Sequence, residues 1–365
     1  MVKDRMTEIR GVWLLSRFNS PVLTSTSRIK KTLDFLEKCG FNTLFVAVWN
    51  QGYTAFESEV MAKHGFPKQD PLYVELGIDP LEEVINQAKG RNLAIFPWFE
   101  YGFAASPLFD GGHILTMKPQ WSAMTQSGNQ LRHGGLTWMN SLDLEVQQFI
   151  SDLLLEVIEK YDVAGVQGCD RLPAMPHLGG YDQQTKNEYR NRFGSNPPLN
   201  TKQPAWVQFR ANLLTDYLKR LRSQIKTKDS NCLLSISPSP FKFGLDNVLQ
   251  DSEHWLKQGL VDLLCPQWYR ENFSAYRAEV DRVANGFSSR ERKKIVPGIA
   301  FTANRRNLTA SDLVKCVNHN RTKGLGGQVF FFYEGLTNNS NQMALTLYNS
   351  ADYSKLAPLP TPPFP

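Results

Sequence analysis

Three acidic side chains, Glu100, Asp170 and Glu334, stand directly after apolar runs that have the character of buried strands. Hydrolysis of a glycosidic bond requires two carboxyl groups, one as acid and the other as nucleophile or base. The neighbouring Trp98 is expected to raise the pKa of Glu100, which suits a general acid. Glu100 and Asp170 are therefore the predicted catalytic pair, with their roles left open, and Glu334 is a predicted substrate contact. The alternative is that each carboxylate only pairs with an arginine or caps a helix.

Aromatic and hydrogen-bonding side chains occur at the same predicted strand ends. Sugar rings stack their C–H faces on aromatic rings, and their hydroxyls bond to amide, phenol and guanidinium groups. One such tryptophan is more often a packing residue, but several on one face favour a carbohydrate groove. The predicted aromatic contacts are Trp13, Trp49, Trp98 and Trp138. The predicted hydroxyl-binding residues are Asn50, Asn140, Arg171, Gln267 and Tyr269.

Cys169 offers a different chemistry at the fourth of these strand ends. A cysteine nucleophile needs a base nearby, and His177 is the close candidate in sequence. The alternative is a small, partly buried thiol that lies in the substrate site. The 5 cysteines form no CxxC pair and the 6 histidines form no HxH or HExxH motif, so we expect neither a disulfide framework nor a metal centre, and no cofactor.

The elements that position these residues are eight short apolar runs, nearly all separated by helix-like segments. Strands that alternate with helices indicate a parallel sheet. Eight such units in a chain of 365 residues predict an α/β fold, a single (β/α)8 TIM barrel, with the reaction centre at the carboxyl ends of its strands. An open doubly wound sheet is the alternative, but no GxGxxG turn is present. The predicted strands are 11–16, 43–49, 93–99, 163–169, 232–237, 261–268, 294–301 and 327–333.

Helix signals between the strands are clear in several places. Ser25 or Thr26 can cap a first helix that runs to Lys38, and Asp79 before Pro80 is a strong start signal for another helix, which Gly90 ends. Long loops are predicted after strands 2, 3 and 4, and such lengths are unusual unless functional. The other predicted helices are 144–160, 206–222, 251–258, 275–284 and 311–322, and a last segment, 343–348, could close the ring.

Composition limits the partners. A net charge of +6 without a Lys/Arg block indicates a solvated surface, so no nucleic-acid partner is expected. No apolar run of ~18 residues occurs, so no integral membrane segment is predicted. The beginning of the chain lacks a signal-peptide core, which predicts a cytoplasmic protein as written, or a periplasmic or secreted one if the start is truncated. The predicted divisions are a tail at 1–7, the barrel at 8–350 and a proline-rich tail at 351–365.

The chain also resembles a known family through ordered motifs that span residues 8–349. It is similar to the glycosyl-hydrolase-like family 10, also called DUF187, in a form that resembles cyanobacterial members. The motifs are EIRGVWL from residue 8, FNTL from 41, VWNQGYT from 48, PWFEYGF from 97, WMN from 138, YDVAGVQG from 161, SISPS from 235 and VDLLCPQWY from 261. The resemblance implies a TIM barrel that hydrolyses O-glycosidic bonds of a bacterial polysaccharide or oligosaccharide, such as a cell-wall glycan.

One position departs from the family pattern. The family's fourth strand usually ends in two adjacent acids, whereas this chain has Cys169 followed by Asp170. If Gln167 points into the barrel, strand alternation turns Cys169 inward too. A thiol cannot replace a carboxylic acid, so the alternative prediction is a catalytically impaired barrel that binds glycan.

Overall fold

The computed structural model describes residues 7–359, which form a ring of eight parallel strands with helices outside it. Each strand pairs with the next along the barrel, and β1 pairs with β8. Two parallel bridges, Leu264 to Ile295 and Gln267 to Gly298, join β6 to β7. The ring is thereby closed, which confirms the predicted (β/α)8 barrel. The strands are β1 Ile9–Leu14, β2 Thr43–Ala47, β3 Ala94–Phe99, β4 Gly165–Gly168, β5 Leu233–Ile236, β6 Leu263–Leu264, β7 Gly298–Ala300 and β8 Gly327–Phe331.

The helices follow the predicted capping signals closely. Ser25 accepts a hydrogen bond from the Arg28 N–H at the start of the first helix, and Asp79 accepts one from the Glu82 N–H at the start of the fourth. The helices are α1 Thr26–Lys38, α2 Glu59–Lys63, α3 Pro71–Leu76, α4 Pro80–Ala88, α5 Gly112–Met117, α6 Leu144–Lys160, α7 Gln183–Phe193, α8 Pro204–Lys228, α9 Phe241–Val248, α10 Ser252–Lys257, α11 Phe273–Gly286, α12 Ser289–Arg292, α13 Ala310–Thr322 and α14 Tyr333–Ser350. No helix within residues 7–359 has the length and apolar character needed to cross a bilayer.

Two strands are shorter than their apolar runs suggested. Pro266 and Pro297 lie inside the predicted sixth and seventh strands. Proline has no N–H to donate to a strand ladder, so regular pairing stops there. The two bridges that close the ring lie on either side of these prolines.

The long loops after strands 2, 3 and 4 are largely ordered into small elements. Helices α2 and α3 follow β2, and α7 follows β4. After β3 comes α5 with an antiparallel sheet of three short strands, Ala104–Ser106, Arg132–His133 and Leu136–Trp138. Phe66, Trp121 and Phe149 pack together at centroid distances of 5.0 to 5.9 Å. This aromatic cluster fixes the loops after β2 and β3 against α6.

A buried ionic network closes the opposite end of the barrel. The Glu8 carboxylate accepts hydrogen bonds from Arg10 at 2.7 Å and from Arg321 at 2.6 Å. The Arg10 guanidinium lies 4.3 Å from the centroid of the Tyr353 ring and donates to the Lys355 carbonyl at 2.8 Å. The chain packs on this end as far as Ala357, whose carbonyl accepts hydrogen bonds from the Asn42 and Asn92 amides. The domain boundary placed at residue 350 remains a prediction. Residues 1–6 and 360–365, which include parts of both predicted tails, lie outside the described residues.

Replacing Glu8 should destabilise the fold strongly. Glu8→Gln leaves the buried Arg10 and the largely buried Arg321 without their counter-charge, and breaking a buried ion pair from one side costs about 3–5 kcal/mol. The free energy of unfolding from urea titration measures the effect. Asp216→Asn is the control, because its ion pair with Lys219 is half exposed and should change stability little. Equal effects of the two variants would contradict the structural role of the network.

Candidate active site

The floor of the barrel mouth is a buried layer of inward-facing side chains. The Trp13 indole N–H donates to the Gln167 side-chain oxygen at 2.8 Å, and the Gln167 amide donates to Ser235 at 2.9 Å. The Trp98 ring lies 6.0 Å from that of Trp13. Both tryptophans are at most 3% exposed, so they line the floor and leave no open ring face for a sugar to stack on. Among residues 7–359 the Trp98 indole N–H has no hydrogen-bond partner.

Glu100 stands above this floor, two residues beyond Trp98 on the same side of β3. The Asn50 side-chain amide donates to its carboxylate at 2.7 Å. The residue as a whole is 7% exposed. Burial raises its pKa, and the Asp170 charge adds to this, while Arg171 and the Asn50 hydrogen bond oppose it. A carboxyl that holds its proton toward neutral pH can serve as a general acid.

Arg171 lies between the two predicted catalytic residues and contacts the backbone of one and the carboxylate of the other. Its guanidinium donates to the Glu100 carbonyl at 3.1 Å and lies 3.4 Å from the Asp170 carboxylate. It also lies 5.4 Å from the centroid of the Tyr101 ring. The Asp170 side chain is 27% exposed, so solvent and a ligand can reach it. The structure therefore brings Glu100 and Asp170 to neighbouring strand ends, one buried and one open.

Cys169 is fully buried between these groups. Its sulfur accepts the Arg171 backbone N–H at 3.1 Å, and the Gln250 amide donates to its carbonyl at 3.3 Å. Burial raises the pKa of the thiol, which keeps it protonated. The predicted partner His177 shares a hydrogen bond with Thr201 at 2.8 Å. A neutral, inaccessible thiol does not suit a cysteine nucleophile.

Gln267 and Tyr269 line a groove that opens from the mouth on the side of β6. Tyr269 stacks on Phe331 at a centroid distance of 5.0 Å, and the Gln267 amide donates to the Ser237 carbonyl at 3.1 Å. Burial raises the pKa of the Tyr269 phenol, which therefore stays protonated and can donate a hydrogen bond. The groove has a volume of about 560 Å³ and is lined by Pro240, Phe241, Lys242, Phe243, Gln267, Tyr269, Arg270, Glu279 and Arg282.

Trp49 lies behind the site and not in it. Its ring is fully buried, contacts Phe149 edge-on at 5.9 Å, and donates to the Gly102 carbonyl at 2.9 Å. No face is free for sugar stacking in this arrangement. The residue secures the turn after Glu100.

Trp138 and Asn140 stabilise the loop after β3. The Trp138 indole N–H donates to the His133 carbonyl at 3.2 Å, and the Asn140 side chain accepts the Leu142 N–H at 3.2 Å. Both residues are at most 4% exposed. Their predicted contacts with substrate are not supported by these positions.

Glu334 is the second residue of α14, shortly after the end of β8. One of its carboxylate oxygens accepts a hydrogen bond from Ser20, and the other is buried without a partner in the described chain. The Ser16 hydroxyl and the Asn50 side-chain oxygen are also buried and unpartnered there. Buried polar atoms normally find partners, so these three atoms are available to a bound molecule.

Sequence reasoning missed Ser16 and Ser20. Ser16 supplies a backbone hydrogen bond to Glu100, and its place just beyond β1 matches the same strand-end rule that found Asn50. The contact of Ser20 with Glu334 joins distant parts of the chain, and no local signal announces it. Within residues 7–359 no group of three or more His, Cys, Asp or Glu side chains could hold a metal ion.

Solved structures with a similar fold include glycosidases. The glycoside hydrolase domain of PgaB (BpsB) from Bordetella bronchiseptica has a TM-score of 0.68 and 12% identity, covering 93% of this chain and 98% of its own. The catalytic domain of β-amylase from Paenibacillus polymyxa has a TM-score of 0.65 and 13% identity, covering 95% of this chain and 99% of its own. At such low identity the likeness establishes the TIM-barrel fold alone.

Two glycosyl hydrolases are similar to this chain in sequence. Glycosyl hydrolase DigH of Escherichia coli strain K12 is 25% identical over 338 residues, which is 80% of this chain and 73% of the relative. Glycosyl hydrolase YngK of Bacillus subtilis strain 168 is 25% identical over 410 residues, covering 98% of this chain and 74% of the relative. Residues 8–311 match the family described as glycosyl hydrolase-like 10. The chain therefore belongs to the glycosyl hydrolase-like 10 family, as its motifs predicted.

Proposed function

We propose that the protein is a glycoside hydrolase that cleaves O-glycosidic bonds of a bacterial, cell-wall-like polysaccharide with two carboxylates. The observation that carries the proposal is the position of Glu100 and Asp170 at neighbouring strand ends, where Arg171 donates to the Glu100 backbone carbonyl and lies 3.4 Å from the Asp170 carboxylate. Two carboxyl groups in different environments can divide the roles of acid and of nucleophile or base. The glycosyl hydrolase names of the relatives agree with this reaction class.

Asn50, Arg171, Gln267 and Tyr269 are the proposed sugar-binding groups. The unpartnered side-chain oxygen of Asn50 can accept a hydrogen bond from a sugar hydroxyl, and the protonated phenol of Tyr269 can donate one. Trp13 and Trp98 form the floor below them. Sugar binding by these residues does not require a cofactor.

A glycan-binding barrel with impaired catalysis is the second candidate, because Cys169 stands where the family usually has an acid. Burial leaves this thiol neutral, so it cannot supply the missing charge. In this chain Glu100 and Asp170 would therefore have to act without an acidic group at position 169.

The catalytic assignment predicts that Glu100→Gln and Asp170→Asn each reduce hydrolysis of purified peptidoglycan glycan strands by about 10²–10⁴-fold. Both changes keep side-chain volume, so the thermal unfolding midpoint should stay near that of the wild type. Glu188→Gln, on the exposed face of α7, is the control and should keep full activity. Full activity in both site variants would refute the assignment.

The pH profile should identify the role of Glu100. Asn50→Ala removes a hydrogen bond that stabilises the Glu100 carboxylate, so the already raised pKa of Glu100 rises further. If Glu100 is the acid, the alkaline limb of kcat/KM moves to higher pH, because the protonated form persists longer. If Glu100 is the nucleophile or base, the acidic limb moves upward instead. Unmoved limbs would mean that Glu100 does not control the rate.

Cys169→Asp tests the second candidate directly. If the wild-type protein is a working hydrolase, it releases product from peptidoglycan glycan strands or from a polysaccharide panel, and the variant changes the rate little. Product from the variant alone would establish that the natural barrel does not cleave these glycans and that an acid at this position restores cleavage. Cys169→Asn, similar in shape and uncharged, separates the effect of charge from that of size.

A further inference from the structure

A small uncharged pocket opens beside the mouth, at the ends of β7 and β8. Its volume is about 170 Å³, the share of roughly six water molecules. This is below the ~300 Å³ at which pockets for drug-sized ligands begin, so the pocket suits one small ring. The lining residues are Phe301, Thr302, Asn307, Phe331, Phe332, Gly335, Asn338, Asn339, Gln342 and Met343.

A row of aromatic rings leads from the mouth to this pocket. Tyr269 stacks on Phe331 at a centroid distance of 5.0 Å, and Phe331 contacts Phe332 at 5.1 Å. Phe331 also touches Trp13 edge-on at 5.9 Å. Phe331 is therefore shared between the floor of the mouth and the wall of the pocket, and a chain of sugar rings that leaves the mouth on this side meets the pocket next.

The rim of the pocket carries side-chain amides that are open to a ligand. Asn338, Asn339 and Gln342 are exposed, and hydrogen bonds from their side chains are absent within residues 7–359. Across the pocket, the Thr302 hydroxyl donates to the Asn307 side-chain oxygen at 2.8 Å. That bond leaves the Asn307 NH₂ group to donate elsewhere. Amide donors and acceptors above aromatic rings match the hydroxyls and C–H face of a sugar.

The rim is preformed on both sides. On one side, strands Thr302–Ala303 and Arg306–Asn307 are joined by two residues with positive φ, as in tight hairpins. On the other side, residues 339–341 all have φ between 50° and 64°, which interrupts α14. Consecutive left-handed residues cost energy and tend to persist where a site requires them. A preformed rim avoids the ordering cost of binding.

We propose that this pocket is a binding subsite for one uncharged sugar ring of the glycan, a proposal that rests on the proposed glycoside hydrolase function. The ring lies against Phe331 and Phe332 and bonds to Asn338 and Gln342. No lining residue carries a charge, so nothing there compensates the desolvation of a uronate or phosphate. The subsite thereby selects a neutral or N-acetylated sugar at this position.

Side-chain amide signals in nitrogen-15 NMR spectra test the subsite. The signals of Asn338 and Gln342 are assigned through their loss in the Asn338→Ala and Gln342→Ala variants. In the wild-type protein they should shift on titration with N-acetylglucosamine or glucose and stay in place with glucuronate. The double variant should bind the neutral sugar about tenfold more weakly, since two hydrogen bonds are lost. Asn349→Ala, on the exposed part of α14, is the matched control and should bind as the wild type does.

The outcomes separate the two proposals. Amide signals that do not move with either neutral sugar, or that move equally with glucuronate, overturn the subsite. Undiminished binding in the double variant also overturns it. Hydrolysis of glycan strands is measured on the same samples: a wild-type protein that shifts these signals but cleaves nothing refutes the hydrolase proposal alone, and one that cleaves without shifts refutes the subsite alone.

Discussion

The alternation of side chains along β3 is the constraint on which the rest of the site depends. Phe96 packs inside the barrel against Phe45 at 5.1 Å, and Trp98 pairs in register with Gln167. Glu100 follows on the same face of β3. It therefore lies beside the end of β4, where Asp170 is located. A shift of one residue would turn Phe99 inward and Glu100 outward. Because β3 is paired with both β2 and β4, this register is fixed from both sides.

Burial of the Glu100 carboxylate at the mouth lowers the stability of the fold but suits the residue to proton transfer. Burial of Glu100 disfavours its charged form, and the Arg171 charge with the Asn50 amide recovers part of that loss. A fully compensated carboxylate would be stable but too acidic to donate a proton near neutral pH. Partial compensation leaves a carboxyl whose protonation responds to small changes nearby. Arg171 also holds the Glu100 backbone in place, so one side chain sets both geometry and charge.

The fold and much of the site follow from local patterns in the sequence. Strand-end position alone predicted that Glu100, Asp170 and Arg171 lie close together, because parallel strands in a closed barrel bring their carboxyl ends together; their catalytic and binding roles stay predictions. The same rule could not distinguish residues that face the mouth from those that turn away. Trp49 turns away, and its indole N–H donates to the Gly102 carbonyl, because side-chain orientation beyond a strand end depends on the turn that follows. The non-helical interruption at 339–341 was not predicted: asparagine, present at 339 and 341, adopts positive φ more readily than most residues, but three left-handed residues in a row are uncommon.

The pairing of the first strand with the last has a consequence for how the chain folds. Ile9 lies opposite Gly327 in the sheet, so the ring cannot close until more than 300 residues have left the ribosome. Until then β1 and β7 are unpaired edges that can join other chains. Contacts between such distant residues make folding slow. The period before β8 emerges is therefore the time at which this chain is most open to pairing with other chains.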